Sequence, residues 1–360
     1  MWTPMVCRFF PEEQMGVSGA DSFFRVMTMF RFKTVSIFLF STLMLICCFS
    51  HPVTAGDTEY PMLEIPEIKD GIYAHLEKLT RSIGERSVYY PENILKAQHY
   101  IESIYRDVGL SVRSEPYPYG KGTVANVIAE ISFGKTPGKR FLLGAHYDSV
   151  QGTVGADDNA SAVAVQLETA RQLSKLGQKK DLNLTVKFVS FALEEPPVYG
   201  TRYMGSRVYA KQAKKEKERL DGMICLEMVG FTCNTPGCQD YPFPLMYFGY
   251  PEKGNFIGVV GNIGSRAFTR SITTAFQKNT DLPVVKLTVP FNGWILPSVR
   301  LSDHASFWDQ GYRAVMITDS AFFRNPHYHL SSDTMETLDL RFMAELVESL
   351  IIFFVSQGSG

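Results

Sequence analysis

Apolar runs the length of single strands, alternating with segments of helical periodicity, constrain the fold of this chain more than any other feature. The runs are Phe141 to Ala145, Val186 to Leu193, Met223 to Val229 and Ala314 to Ile317. Strands this apolar belong to sheets covered on both faces. Between the first two runs, Val163, Val165, Leu167, Ala170 and Leu173 mark a helix over Ser161 to Leu176. Upstream, residues 62–83 and 91–109 read as two amphipathic helices, the second starting after Tyr90-Pro91-Glu92. Leu110 to Ser114 and Val124 to Ile131 read as further strands. Leu340 to Val355 is apolar but carries Glu345 and Glu348, so it predicts a packing helix rather than a membrane span. This order predicts an α/β fold, a sheet with helices on both faces. No repeat or long linker interrupts residues 62–355, and residues 56–360 are expected to form a single domain on which the helical N-terminal segment packs.

With 360 residues, 45% of them hydrophobic, the chain can bury a sizeable core. The net charge is −1 and no Lys/Arg stripe interleaves with aromatics, which argues against nucleic acid as a partner. The mixed-sign run Lys211 to Arg219 reads as a solvated helical face. Residues 34–49 are almost wholly apolar, preceded by Arg31 and Lys33 and followed by Val53-Thr54-Ala55. That is the layout of a secretory signal, with residues 1–55 as leader and cleavage after Ala55. It predicts a secreted or periplasmic protein; the alternative is an uncleaved membrane anchor formed by residues 34–49. Cys225, in an apolar run, reads as a buried free thiol. Cys233 and Cys238 bracket the turn-forming Asn-Thr-Pro-Gly, and either close a small disulfide loop or remain two loop thiols. No obligate protein partner is evident.

Chemistry concentrates where the runs end. GAHYDSV puts His146 and Asp148 two apart on one face at a strand's end, where Asp148 can accept a hydrogen bond from the ring. GADDNASA sets Asp157 and Asp158 before Asn159; the pair fits an ordinary helix cap, but adjacent acids repel unless a cation is near. SFALEEP presents Glu194 and Glu195 side by side, directed to opposite sides. CLEMVG places Glu227 in an apolar strand, which is costly for a lone acid unless it is paired. NPHYHLSSD supplies His327 and His329 on a loop with Asp333 beyond, and LSDHASFW opens a helix at Ser302-Asp303-His304. Each motif alone reads as a structural pair or cap. Together, His146, Asp158, Glu195, Glu227 and His329 are two imidazoles and three carboxylates, a set suited to two divalent ions, most simply two zincs sharing one carboxylate.

GAHYDSV, GADDNASA, FALEEP, GSRVYA, LEMVG, SDHASFW and NPHYH, in this order over residues 70–350, resemble the M28 family of zinc exopeptidases, the bacterial secreted aminopeptidases in particular. The resemblance implies a three-layer α/β/α sandwich around a mixed, mostly parallel sheet, with a centre of two Zn²⁺ at the sheet's C-terminal edge. It implies that His146 and Glu227 hold one zinc, that Glu195 and His329 hold the other, and that Asp158 bridges them. By the same resemblance Glu194 is the general base for a water between the metals, Asp148 orients His146, and the Tyr328 hydroxyl stabilises the tetrahedral intermediate. Glu227 stands where many relatives have Asp. The implied activity is release of N-terminal residues from peptide substrates with a free N-terminus. The apolar loop at residues 289–301 adds Phe291, Trp294 and Leu296, with Asp303 and His304 just beyond, as the expected lining of a substrate pocket.

Other readings stay open. A glutaminyl cyclase resembles this fold with one working zinc, but typically has Trp before the last ligand histidine, where this chain has Tyr328. A carboxypeptidase or dipeptidase would use the same scaffold. A receptor ectodomain that had lost the site would not be expected to keep all five ligands and the base.

Overall fold

The computed structural model describes residues 63–134, 138–177 and 182–359. The leader, its apolar run at residues 34–49 and the cleavage position after Ala55 lie outside the described residues. Eight strands, β1 (Ser111–Tyr119), β2 (Gly122–Ser132), β3 (Lys139–His146), β4 (Leu184–Phe191), β5 (Gly222–Glu227), β6 (Ile257–Asn262), β7 (Val284–Val289) and β8 (Ala314–Thr318), form one sheet. Their spatial order is β1-β2-β4-β3-β5-β8-β6-β7. The pairings β3–β4, β3–β5, β5–β8 and β6–β7 are parallel and the other three antiparallel, so the sheet is mixed with a parallel centre.

Side-chain alternation along the central strands builds a core on each face. Phe141, Leu143, Val186, Phe188 and Ile224 pack against α1 (Ile65–Leu76), α2 (Pro91–Asp107), α3 (Ala162–Gly177), α5 (Arg266–Phe276) and α7 (Leu340–Gly358). Leu142, Val189, Phe191 and Met223 pack on the other face, against Tyr209 and Ala210 of α4 (Gly205–Lys215) and Phe307 and Trp308 of α6 (His304–Asp309). The result is a three-layer α/β/α sandwich. Proline at the first turn opens α1 and α2, where its missing N–H costs nothing. Asp339 caps α7 by accepting from the N–H groups of Arg341 and Phe342, both at 3.0 Å. Packing of α1, α3 and α5 against α7 explains why that helix is apolar almost all round. No helix among the described residues is long and apolar enough to cross a membrane.

Two differences from the sequence reading have physical causes. The first edge strand runs on past Ser114 to Tyr119 through Pro116 and Pro118, because an edge strand has a side that needs no donor. Between Val229 and Ala314 no strand was expected, yet β6, α5 and β7 lie there. Gly258 and Gly261 interrupt the apolar signal of β6, and a Cβ on Gly261 would come 2.1 Å from the Thr269 hydroxyl. Strand β7 is half-exposed and its pattern weak.

The topology makes one crevice. Helix α3 carries the chain from β3 to β4 on one side, and α4 brings it back across to β5 on the other side of β3, over the opposite face. At such a switch the carboxyl ends of the parallel strands open apart, and ligands bind there.

Candidate metal centre and substrate cleft

The carboxyl ends of β3, β4 and β5 each deliver side chains to this crevice. His146 is the last residue of β3, Glu227 the last of β5, and Glu194 and Glu195 follow β4 by a short turn. Asp158 comes from the turn that leads into α3, and His329 from the loop after β8. Leu193, Met228 and His329 have φ of 59°, 46° and 58°, left-handed backbone that non-glycine residues seldom adopt. All three positions sit at or beside site residues, where such strain collects.

The distances describe two half-sites that share a carboxylate. His146 Nε2 lies 3.4 Å from Asp158 Oδ1 and 3.4 Å from Glu227 Oε2. His329 Nε2 lies 3.2 Å from Asp158 Oδ2 and 3.4 Å from Glu195 Oε2. Each of these two groups brings its ligand atoms within 4.8 Å of one another, as does the alternative grouping of His146, Glu194 and Glu195. A tetrahedral ion with bonds of 2.0–2.1 Å spaces its ligand atoms about 3.3–3.4 Å apart. The donor set fits such an ion. His146 Nδ1 and Nε2, Asp158 Oδ1 and Glu195 Oε1 are buried without a hydrogen-bond partner, which a protein rarely tolerates unless something else satisfies them.

Electrostatics point the same way. Burial first, then the charges of Asp158 and Glu194, push Glu195 well above the usual carboxylate range. Burial likewise raises Glu194, with Glu227 adding to the effect and His146 opposing it. Burial alone would raise Asp158 too, but the two imidazoles beside it hold it below its ordinary value. Burial disfavours a charged His146, yet Glu227 and Glu194 keep its ring well above the usual histidine range. Acids crowded in this way hold protons back unless cations take their place.

Asp148 sits 3.4 Å from His146 Nδ1, but its oxygens are engaged elsewhere: they accept the N–H groups of Glu194 and Glu195, both at 3.0 Å. It therefore ties the end of β3 to the turn carrying both glutamates. Asp157 faces away from the cluster and accepts from Gly230 N at 2.9 Å and Asn325 Nδ2 at 2.6 Å. Asp333 accepts the N–H groups of Asp157 and Asp158 at 2.8 and 3.2 Å. Tyr328 stacks on His329 with ring centroids 3.7 Å apart, and burial raises its phenol.

An apolar cleft, open to solvent, runs from Glu227 and Tyr328 between Tyr241, Met246, Phe256, Val260, Leu301 and Met316. The residues expected to line a pocket are placed otherwise. Phe291 and Trp294 are 74% and 64% exposed and lie outside this lining, Trp294 resting on the Arg300 guanidinium at 3.9 Å. Leu296 packs against the α4–α6 core. His304 is wholly buried, with Nε2 2.8 Å from the Val299 carbonyl and its ring edge-on to Trp308, so it is a packing residue. Asp303 is buried beside the centre, outside the cleft lining, and burial pushes it up to about 7. The reason is local: the chain after Leu296 turns in, so Val299 and Leu301 reach the cleft instead of the bulky aromatics before them. The aromatic run Tyr241 to Tyr250, passed over in the sequence, was the available signal for the cleft. Cys233 and Cys238 are joined by a disulfide just before that run, and Cys225 is a buried free thiol.

The profile of Peptidase family M28 matches residues 126–353. Uncharacterized protein YfbL of Escherichia coli (strain K12) is 37% identical over 281 residues, covering 76% of this chain and 83% of YfbL. Leucine aminopeptidase 1 of Ajellomyces dermatitidis is 24% identical over 294 residues, 77% of this chain and 68% of that enzyme. Among solved structures, the Legionella pneumophila LapA aminopeptidase matches with a TM-score of 0.62 at 19% identity, over 84% of this chain and 77% of LapA. A Porphyromonas gingivalis glutaminyl cyclase matches with a TM-score of 0.57 at 19% identity, over 82% of this chain and 98% of the cyclase. At that identity the likeness concerns architecture alone, and the architecture serves both an aminopeptidase and a cyclase. The profile spans well over half of the chain, and its range takes in every strand end of the crevice: the chain belongs to peptidase family M28.

Proposed function

We propose that this chain is a zinc-dependent aminopeptidase with two zinc ions, one held by His146, Asp158 and Glu227, the other by Asp158, Glu195 and His329. The observation that carries this reading is Asp158, whose two oxygens face two different imidazoles at 3.4 and 3.2 Å. When bound, such ions polarise a scissile carbonyl and acidify an attacking water. Glu194 would take a proton from the attacking water and return it to the leaving amine, a role favoured by its raised proton affinity. Asp148 fixes the backbone of Glu194 and Glu195 beside His146. Tyr328 donates its hydroxyl to the developing oxyanion.

Two features favour the N-terminal end of a peptide. The carboxylates of Glu194 and Glu227 suit a free α-amine. Among the described residues of the cleft lining, Lys286 is the single cation, and it is exposed. The apolar walls accept an apolar first side chain. The leader and the Cys233–Cys238 bond both favour an exported protein cleaved after Ala55.

Metal content per purified chain, measured with release of nitroaniline from leucine-p-nitroanilide before and after chelation, tests the proposal. Two zincs and chelator-sensitive release are expected. One zinc and no release, with cyclisation of an N-terminal glutamine peptide, would replace it by the glutaminyl cyclase reading.

A further inference from the structure

Arg86 is fully buried, a cation in the segment between α1 and α2, outside residues 126–353. Every hydrogen bond of its guanidinium goes to a backbone carbonyl. Nε donates to Tyr147 at 2.8 Å, Nη2 to Gly155 at 3.0 Å, and Nη1 to Val154, Gly84 and Leu79 at 2.7, 3.0 and 3.2 Å. Its own N–H donates to the Ser149 hydroxyl at 3.0 Å. Tyr147 lies between His146 and Asp148, and Gly155 opens the turn to Asp158. One side chain therefore joins the two segments that bring those residues to the centre.

Carbonyls satisfy the donors of a guanidinium but leave its charge in place. Burying an arginine with no carboxylate partner costs several kcal/mol unless charge elsewhere compensates. The compensating charge is at hand: Arg86 feels Asp148, Asp333, Asp158 and Glu195, and although burial lowers it to about 10, it stays protonated at neutral pH.

We propose that Arg86 is a positioning residue of the metal centre, tying the end of β3 to the Asp158 turn and supplying a permanent positive charge beside the carboxylates. This rests on the metal-centre reading above. Arg86→Lys keeps the charge and loses the five-carbonyl geometry; Arg86→Met loses both. Zinc affinity of the full chain is measured by chelator competition, with thermal melting of the metal-free form. Outer partners of metal ligands typically carry about 10–100-fold in affinity. The expected result is ~10-fold or weaker zinc binding in Arg86→Met and a smaller loss in Arg86→Lys. Lower melting with wild-type zinc affinity would overturn the proposal, leaving Arg86 a core residue. Should Arg86→Met not fold, wild-type zinc affinity in Arg86→Lys overturns it equally. A wild-type chain that holds no zinc would instead remove the metal-centre reading, and this inference with it.

Discussion

Ser302 donates a 2.6 Å hydrogen bond to Oε2 of Glu227, the same oxygen that faces His146 Nε2 at 3.4 Å. Sequence offered Ser302 only as a helix cap. In the fold it holds the Glu227 carboxylate in place beside His146. Ser302→Ala is expected to weaken binding of one zinc by roughly 10-fold or more while leaving the other in place. Stepwise zinc release against a chelator checks this, and equal release from both sites would dismiss it.

Glu194 stands 3.9 Å from His146 Nε2, outside the two half-sites that share Asp158. Glu194→Gln should therefore hold both metals and lose ~10²-fold or more in kcat, the usual scale of a missing proton carrier. Metal analysis of the variant belongs beside the kinetics. Near-normal turnover would take Glu194 out of the proposed role.

The cleft carries a specificity prediction. Met246→Ser removes apolar wall and should raise KM for a leucine substrate about 10-fold with kcat little changed, the mark of lost uniform binding. Trp294→Ala, far more exposed and outside the lining, should leave the preference for apolar N-terminal residues as it was. The reverse pattern would return the pocket to the loop at residues 289–301.

Metal-free protein should lose stability as pH rises. Burial raises Asp319 to about 6 and Asp333 to about 7. An unfolded Asp titrates near ~3.9. A raised acid contributes its full stability below the unfolded value and loses it as pH climbs through the folded one. His304, which burial lowers to about 4, works in the opposite sense up to the ordinary histidine range, but it is a single group. The melting temperature of chelated protein is thus expected to fall by several degrees between pH 5 and 7.5, with a flatter profile once zinc is restored. A rise over that interval would contradict the assignment of these buried acids.

Gly155 has φ of 54°, and a Cβ there would lie 2.2 Å from the Asp158 carbonyl oxygen and 2.6 Å from Ser149 Cβ. Gly155→Ala must displace the turn that carries Asp158. Destabilisation of about 1–3 kcal/mol or more is expected in denaturant unfolding, together with weakened zinc retention. Wild-type unfolding would mean the turn has slack that these distances deny.

Much of this protein was legible before folding. Strands β3, β4, β5 and β8 announced themselves because burial on both faces leaves an unbroken apolar run, and α3 and α7 because a helix face repeats. Edge elements were harder: β1 hid behind two prolines, and β6 and β7 behind glycines and half-exposed positions. The motifs named the residues that the crevice brings together, since an acid or imidazole at the end of an apolar strand is conspicuous. What the motifs could not carry was distance and direction. That Asp158 faces two imidazoles, that Asp148 spends its oxygens on the N–H groups of Glu194 and Glu195, and that Arg86 reaches across nearly seventy residues to the turn before Asp158 depend on crossovers between strands. The expected pocket shows the limit most clearly. Composition pointed to Phe291 and Trp294, but which apolar side chains face a cleft is decided by how a loop turns, and the loop turned Val299 and Leu301 inward instead. Sequence determined the α/β layering and the chemistry available to the site, because periodicity and residue type are local properties. Tertiary structure alone decided how those groups share charge, because Coulomb and hydrogen-bond energies depend on separations that no local pattern contains.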